Sequence, residues 1–262
     1  MGTNMQINIL ASGSKGNSTL IQTENTKILI DAGISTTRIK NSLEALNVDL
    51  KDIDAVLLTH EHEDHIKGLP VLSRKYNIKI FAKQKTWQAL DCKKSLRREF
   101  CYNLNNSLDF SDLKIEPFSI SHDAADPVGY NFYNKSFKLS FATDLGIVSP
   151  TVKQAISMSD ALVLESNHDS KMLKTGPYPT FLKNRISSNK GHLANTDTGW
   201  TLARINRKNF TKVFLAHISE TNNDPTLAKN TVTNILDNTG INNDEIDIEI
   251  TYQNKVTGCR FK

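Results

Sequence analysis

The feature that most constrains this chain is an apolar run of strand length that ends in a cluster of histidines and acids. Residues 55–58 read Ala-Val-Leu-Leu, and residues 60–65 read His-Glu-His-Glu-Asp-His. Polar groups at the end of a buried strand are costly unless they bind something. Imidazole and carboxylate groups are the ligand types that suit zinc, manganese or iron. The cluster therefore predicts a metal centre. A solvated loop is disfavoured, because three of the seven histidines lie here.

Length and composition indicate an ordinary folded protein. The 262 residues are 38% hydrophobic and 23% charged, which allows a substantial core, and no repeat or low-complexity stretch divides them. We therefore predict a single domain over residues 1–262. The formal net charge of +4 permits a polyanionic partner without requiring one.

Cysteine usage and the apolar runs bear on location. The three cysteines show neither a paired spacing nor a zinc-thiolate pattern, the first residues do not resemble a signal peptide, and no apolar run has the length of a bilayer span. We predict a cytoplasmic protein with free thiols and no membrane partner.

Strand and helix patterns alternate along the chain. Strands are predicted over residues 6–10, 18–22, 27–30, 55–58, 78–81, 113–119, 128–133, 137–141, 161–165, 213–216 and 246–250. Helices are predicted over residues 36–46, 66–76, 86–98, 150–158, 180–187, 196–208 and 225–238. This pattern alone indicates a mixed α/β or α+β domain.

The motif at residues 60–65 is also specific to a family. The pattern His-x-His-x-Asp-His after an apolar strand resembles the signature of the metallo-β-lactamase fold superfamily. The resemblance implies an α+β fold built as a four-layer αββα sandwich. It also implies further ligand-type residues at strand ends in a fixed order, an early Asp, a lone His, a bridging Asp and a final His. The residues that fit are Asp31, His122, Asp144 and His217.

Taken singly, each of these four residues has an ordinary alternative. An Asp before Ala-Gly or Leu-Gly is often a turn or cap residue, and a lone His is more often structural than a ligand. Their common order and placement after apolar runs favour a site.

The resemblance implies a site for two divalent metal ions, zinc, manganese or iron. One ion would be held by His60, His62 and His122, and the other by Asp64, His65 and His217. Asp144 would bridge them, and Asp31 would orient a ligating histidine or the loop without touching metal. Two ions about 3.5–4 Å apart can share a hydroxide and polarise a scissile group. The redox di-iron members of the superfamily resemble His-x-Glu-x-Asp, with a glutamate where this chain has His62. This difference argues against a redox iron centre.

Three further stretches narrow the family. They are residues 12–18 (SGSKGNS), residues 165–169 (ESNHD), and the run from Gly-Pro-Tyr-Pro at 176–179 to Gly-His-Leu-Ala-Asn at 191–195. Together they resemble the WalJ/YycJ family of bacterial metallo-β-lactamase-fold proteins, which are proposed to act as 5′-to-3′ DNA exonucleases. The resemblance covers residue 6 to the end of the chain. Ala194 stands where that family usually has serine, which puts a hydroxyl contact there in doubt.

Candidate substrate contacts surround these stretches. Asp64 would orient the attacking group, and His192 would protonate a leaving oxygen or stabilise the transition state. Contacts with a substrate phosphate are predicted for Ser12, Ser14, Asn17, His168 and Asn195. The alternatives are an ordinary hairpin turn at residues 12–18 and structural roles for His168 and His192.

Two basic clusters, at residues 93–98 and 183–190, can track a nucleic-acid backbone or simply form solvated faces.

The ligand pattern predicts a dinuclear metal-dependent phosphodiesterase, and the resemblance implies a 5′-to-3′ DNA exonuclease with DNA as its partner and a role in DNA repair. RNA-processing members with an added clamp domain are disfavoured, because no long insertion separates Asp144 from His217. One alternative is a hydrolase of small esters, thioesters or lactams with the same metal ligands. Another is a regulatory or binding protein that keeps its metals only for structure.

Overall fold

Two seven-stranded sheets packed face to face form the centre of the computed structural model, which describes residues 4–242 and 244–261. The strands are β1 (Gln6–Ala11), β2 (Ser18–Gln22), β3 (Lys27–Ile30), β4 (Ala55–Leu57), β5 (Lys79–Ala82), β6 (Cys101–Asn103), β7 (Leu108–Phe110), β8 (Leu113–Ser119), β9 (Val128–Asn134), β10 (Phe137–Ala142), β11 (Ala161–Glu165), β12 (Thr211–Ala216), β13 (Ile246–Ile250) and β14 (Thr257–Arg260). The α-helices are α1 (Thr36–Ala45), α2 (Glu63–Ile66), α3 (Leu69–Val71), α4 (Gln84–Ala89), α5 (Pro150–Ile156), α6 (Ser170–Thr175), α7 (Thr180–Ile186), α8 (Asn195–Arg204) and α9 (Pro225–Asn238).

The two sheets have the same internal plan. The first has the order β14-β1-β2-β3-β4-β5-β6, and the second has the order β7-β8-β9-β10-β11-β12-β13. In each sheet the first three pairings are antiparallel and the last three are parallel. The parallel half therefore starts at β3 in one sheet and at β10 in the other. The carboxyl ends of neighbouring parallel strands lie at one edge, where polar loops can meet.

Alternation along the strands builds three apolar layers. In β3, Ile28 and Ile30 face the other sheet and join a central core, whereas Leu29 faces outward and packs with α1. In β11, Val163 faces the central core, and Leu162 packs outward with the helices of the second sheet. Helices thus cover both outer faces, and the αββα sandwich implied by the resemblance is confirmed.

Two predicted helices are wrong in part. The helix predicted over residues 66–76 is broken at Gly68, which separates α2 from α3, and Leu72–Tyr76 forms a π-helical turn. Gly68 donates to the Ala32 carbonyl, and a Cβ there would lie 2.6 Å from the Ile34 carbonyl oxygen. This contact holds the chain against the loop after β3 and interrupts the helix.

The helix predicted over residues 86–98 ends as α4 at Ala89, and 3₁₀ turns follow. The chain must return to the sheet because β6 pairs with the edge of β5, and the Trp87 indole N–H donates to the Tyr102 carbonyl. The strands β6, β7 and β14 and the helix α6 are absent from the prediction, since they are short and largely half-exposed or exposed.

No helix within residues 4–242 and 244–261 combines the length and apolar character that crossing a membrane requires. The cytoplasmic location and the single-domain organisation stay predictions.

Candidate metal centre

The predicted ligand residues converge at the carboxyl ends of the strands. Asp31 follows β3, Asp144 follows β10, and His217 follows β12. All three have left-handed backbone conformations, with φ of 58°, 58° and 55°. Such a conformation costs an L-residue with a Cβ roughly 1–2 kcal/mol, and strain of this kind collects at functional sites.

One cluster consists of three histidines. The ligand-type atoms of His60, His62 and His122 all lie within 4.8 Å of one another, and the His62 Nδ1 is 3.3 Å from the His122 Nε2. His60 and His62 come from the loop after β4, and His122 comes from the loop after β8. This is the set that the sequence assigns to one ion.

The second cluster combines a carboxylate with two histidines. The ligand-type atoms of Asp64, His65 and His217 also lie within 4.8 Å of one another. The Asp64 Oδ2 is 3.3 Å from the His65 Nε2 and 3.8 Å from the His217 Nε2. This is the set that the sequence assigns to the other ion.

Asp144 lies between the two clusters. One carboxylate oxygen is 3.8 Å from the His122 Nε2, and the other is 3.5 Å from the His65 Nε2. The side chain is 2% exposed. A carboxylate in this position can reach both clusters, one oxygen to each.

The opposite ring nitrogen of four of these histidines is held by a neighbouring oxygen. The pairs are His60 Nδ1 with Thr59 Oγ1 at 2.9 Å, His65 Nδ1 with Asp31 Oδ2 at 2.8 Å, His122 Nδ1 with the Gly191 carbonyl at 3.1 Å, and His217 Nδ1 with Glu165 Oε1 at 2.8 Å. The hydrogen-bond network therefore places the proton on Nδ1 in each ring. In their neutral forms, the Nε2 lone pairs of these four rings are therefore directed to the centre, as metal ligation requires.

Several buried atoms at the centre lack a partner. The His60 Nε2, the His217 Nε2 and the Asp144 Oδ2 are buried and form no hydrogen bond within the part of the chain that the structure describes. Buried polar atoms are normally paired. Because these are nitrogen and carboxylate donors facing a common space, the residues present fit divalent metal ions.

Asp31 orients two histidines from outside the clusters. Its carboxylate accepts the backbone N–H and the hydroxyl of Thr59, each at 2.8 Å, in addition to the His65 Nδ1–H. Since the Thr59 hydroxyl donates to Asp31, its oxygen accepts the Nδ1–H of His60. A single buried carboxylate thus sets the tautomer of one histidine in each cluster.

The charges of the centre perturb its pKa values strongly. Burial and the neighbouring histidines hold the pKa of His60 well below its usual value. Burial alone would lower the pKa of His65, but Asp64, Asp31 and Asp144 raise it well above its usual value. Burial would raise the pKa of Asp64, yet His65 and His217 hold it far below its usual range. Titratable groups perturbed in opposite directions within one cleft are typical of functional sites.

Glu165 belongs to the centre, although the sequence alone predicts no role for it. Its Oε1 is 2.8 Å from the Nδ1 of both His192 and His217, and its Oε2 accepts the backbone N–H groups of Leu145 and Leu193 at 2.7 and 3.1 Å. Burial would raise its pKa, but His192 and His217 hold that pKa well below the usual range. Glu165 ends an apolar strand as Asp31, Asp144 and His217 follow theirs, and that position was the available signal.

The loop before β2 supports the second cluster from one side. The Asn17 amide donates to the Asp64 Oδ2 at 3.1 Å and lies 3.2 Å from the His65 Nε2. The Ser12 hydroxyl accepts the His217 N–H at 2.8 Å. Both residues are buried, whereas Ser14 is exposed. Of these three predicted phosphate contacts, two residues contact the centre itself, and a contact with substrate stays a prediction for all three.

The last part of the chain fixes this loop. The Gln253 amide donates to the Gly16 carbonyl at 2.8 Å, and its oxygen accepts the Lys15 N–H at 2.9 Å. Gly33 contacts the same loop, because its N–H donates to the Asn17 carbonyl at 2.7 Å. A Cβ on Gly33 would lie 1.6 Å from the Asp64 carbonyl oxygen, so only glycine permits this approach.

His168 and Asn195 lie beside the centre. His168 is 3% exposed, and its Nδ1 has no hydrogen-bond partner among the described residues. The Asn195 amide is 1% exposed and is satisfied by Ser166 and Asn223. A direct phosphate contact by either residue stays a prediction, and for Asn195 the internal hydrogen bonds favour a structural role.

A buried histidine and carboxylate centre at the strand ends of an αββα sandwich defines a metal-dependent hydrolase of the metallo-β-lactamase fold. Comparison with known proteins agrees. A family model described as a beta-lactamase superfamily domain matches residues 26–218. Two relatives cover nearly the whole chain. Exodeoxyribonuclease YycJ of Bacillus anthracis is 38% identical over 239 residues, 90% of each chain, and Exodeoxyribonuclease WalJ of Streptococcus pneumoniae is 39% identical over 233 residues, 87% of each. The chain therefore belongs to the metallo-β-lactamase superfamily and, within it, to the YycJ/WalJ type.

Solved structures show the same fold at low identity. The metallo-β-lactamase fold protein YhfI from Bacillus subtilis gives a TM-score of 0.71 at 14% identity, covering 98% of this chain and 100% of its own. Zn²⁺-bound PqqB from Methylobacterium extorquens gives a TM-score of 0.70 at 17% identity, covering 97% of this chain and 99% of its own.

Proposed function

We propose that this protein is a dinuclear metal-dependent phosphodiesterase that digests DNA from its 5′ end. The observation that carries the proposal is Asp144, which lies between two clusters of three ligand-type side chains each. A bridging carboxylate between two such sets is the arrangement of two-metal hydrolases. The two relatives named exodeoxyribonucleases, which match about nine-tenths of the chain, support the proposed exonuclease activity.

The residues present divide between two ions. His60, His62 and His122 would hold one, Asp64, His65 and His217 the other, and Asp144 would contact both. When bound, two divalent ions supply an activated water nucleophile at neutral pH and neutralise charge on the phosphoryl group. Zinc, manganese and iron all suit this donor set.

The side chains at the centre would position the reacting groups. Asp64 is held by the Asn17 amide, which leaves its other oxygen to orient the nucleophile. His192 donates its Nδ1–H to Glu165, so its Nε2 is the atom that can carry a proton to a leaving oxygen. Its side chain is 18% exposed, whereas that of His217 is 3% exposed. His192 is therefore the more accessible partner of Glu165.

A basic side chain, Arg185, lies at the rim of the centre. The Arg185 Nε donates to the Asp123 Oδ2, and the Asp123 Oδ1 is 3.4 Å from the His122 Nε2. Arg185 is half-exposed, at 53%, and can meet a phosphate that approaches the clusters.

The test is digestion of duplex DNA that carries a 5′-phosphate and a label at either end, with manganese or zinc added. Asp64→Ala is compared with Asp52→Ala, which removes an exposed carboxylate from a 3₁₀ turn outside the centre. We expect the native protein and Asp52→Ala to release nucleotides from the 5′ end, and we expect Asp64→Ala to release none. His192→Ala is expected to slow release while metal binding persists.

Three other results would change the proposal. Release of nucleotides from the 3′ end would refute the proposed 5′-to-3′ polarity. Digestion of RNA but not DNA would refute DNA as the substrate. A metal-loaded protein that leaves nucleic acids intact but cleaves a small ester or lactam would refute the nuclease activity.

A further inference from the structure

A groove beside the metal centre is lined by an exposed tryptophan. The groove has a volume of about 640 Å³, and its lining includes His168, His192 and Trp200. The His192 Nδ1 is 3.8 Å from the Asp144 Oδ1, so the groove opens directly next to the two clusters. Trp200 is 42% exposed, an unusual exposure for a side chain of its size.

Helix α8 presents Trp200 to this groove. The groove-lining residues of α8 are Asp197, Trp200, Thr201 and Arg204, whose spacing of three and four residues places them on one face. The buried residues of the helix include Gly199, where a Cβ would lie 2.7 Å from the Ile235 Cδ1 of α9. The buried face therefore fixes the helix, and Trp200 is left to the groove.

The charges and the apolar lining of the groove suit a nucleic-acid strand. The Arg204 guanidinium carbon lies 4.8 Å from the centroid of the Trp200 ring, which holds the ring in place by a cation–π contact. Lys153 also lines the groove, so two cations there face one acid, Asp197. Ile147, which is 40% exposed, adds an apolar contact. Basic grooves with an aromatic side chain bind single strands by tracking phosphates and stacking bases.

We propose that this groove binds the unpaired nucleotides of a single-stranded DNA segment, with one base stacked on Trp200 and the phosphates near Arg204 and Lys153. The inference rests on the proposed function and names the part of a DNA substrate that this groove accepts, the unpaired nucleotides next to the cleaved end. A duplex buries the faces of all but its terminal base pairs in its own stack, so along a strand only unpaired nucleotides offer base faces to Trp200. The strand would then continue past His192 to the metal clusters.

The experiment measures binding of labelled oligonucleotides to the metal-loaded protein by fluorescence anisotropy. The probe is a short oligothymidylate with phosphorothioate linkages, which resists hydrolysis, and its partner is an abasic strand of the same length and charge. We expect Trp200→Ala to weaken oligothymidylate binding by about 5- to 150-fold, the worth of one base stacked on an aromatic ring. Trp200→Phe should recover most of the affinity, because it keeps a stacking face.

The matched control is Phe210→Ala, which removes an aromatic side chain of similar exposure, 49%, that does not line the groove. We expect this variant to bind both strands as the native protein does. The abasic strand should bind native protein and Trp200→Ala equally, since it has no base to stack.

Tryptophan fluorescence provides an independent signal. The chain has two tryptophans, and Trp87 is 6% exposed with its indole N–H bonded to Tyr102. Oligothymidylate should therefore quench Trp200 alone, and Trp200→Phe should abolish the quenching.

Equal affinity of native protein and Trp200→Ala for oligothymidylate would overturn the stacking inference, even if the native protein digests DNA. Conversely, base-dependent binding through Trp200 in a protein that digests no nucleic acid would uphold the groove and refute the proposed function.

Discussion

Replacing Asp31 with alanine is expected to destabilise the protein and to weaken metal binding at both clusters. The carboxylate is 1% exposed and accepts three hydrogen bonds, two from Thr59 and one from His65. Removing one partner of a buried charged pair costs about 3–5 kcal/mol. Each kcal/mol lowers the melting temperature by about 2–4 °C at roughly this chain length, so we expect a fall of about 6–20 °C.

The effect on metal follows from the tautomers. Without Asp31, the His65 Nδ1–H keeps only the Thr59 hydroxyl oxygen, 3.3 Å away, as an acceptor, and the Thr59 hydroxyl is free to donate to the His60 Nδ1. Donation to that nitrogen would favour the tautomer with its proton on Nε2, the atom that faces the metal. Loss of such an orienting partner typically lowers metal affinity about 10- to 100-fold.

The assay separates the two effects. Melting of the metal-free protein, followed by circular dichroism, measures stability, and competition with a chromophoric chelator measures metal affinity. Asp112→Ala is the control, because its carboxylate also accepts two threonine hydroxyls, from Thr23 at 2.6 Å and Thr26 at 3.0 Å, but none of these residues belongs to the metal clusters. We expect Asp112→Ala to lower the melting temperature and to leave metal affinity unchanged. If Asp31→Ala binds metal as tightly as Asp112→Ala does, the orienting role is refuted.

Three further changes test other parts of the centre. Gly33→Ala should shift the Asp64 loop, because its Cβ would lie 1.6 Å from the Asp64 carbonyl oxygen; we expect a loss of about 1–3 kcal/mol in unfolding free energy and weaker metal binding, and native values in melting and chelator titrations would contradict this. Glu165→Gln keeps the side-chain size but removes the negative charge that holds His192 and His217. This substitution should lower kcat on bis(4-nitrophenyl) phosphate about 10- to 100-fold, and an unchanged kcat would refute the orienting role of Glu165. Arg185→Ala should raise KM for DNA and reduce the salt dependence of binding by about one ion, and an unchanged slope would exclude a phosphate contact.

The position of polar residues at strand ends explains how much of the metal centre the sequence could predict. An apolar run buries a strand, and polar side chains at its end or directly after it emerge where neighbouring parallel strands also end. Asp31, Asp144 and His217 have such a position, and the structure brings all three to one edge. Glu165 has the same position, but the motifs in the sequence predict no role for it. Its two histidine contacts arise only when β11 lies beside β12, which no local pattern specifies.

The helices show the other limit of the sequence. Parts of residues 66–76 are helical, as their apolar spacing predicts, but the contact of Gly68 with the loop after β3 divides the predicted helix. Likewise, the groove could not be foreseen, since nothing in the sequence around Trp200 shows which face of α8 packs on α9. Tertiary contacts decided both cases.

The pairing of β14 with β1 has a consequence for how the protein is made. Gln6 lies opposite Arg260 and Ile9 opposite Thr257, so one edge of the first sheet joins residues about 250 positions apart. Gln253, just before β14, also holds the loop that contacts Asp64. Contacts of such long sequence separation form slowly and late. On a ribosome, the edge of β1 that pairs with β14 must therefore stay unpaired until β14 has emerged, although β2 can already pair with the other edge. The loop before β2, which Gln253 holds, reaches its final shape only then.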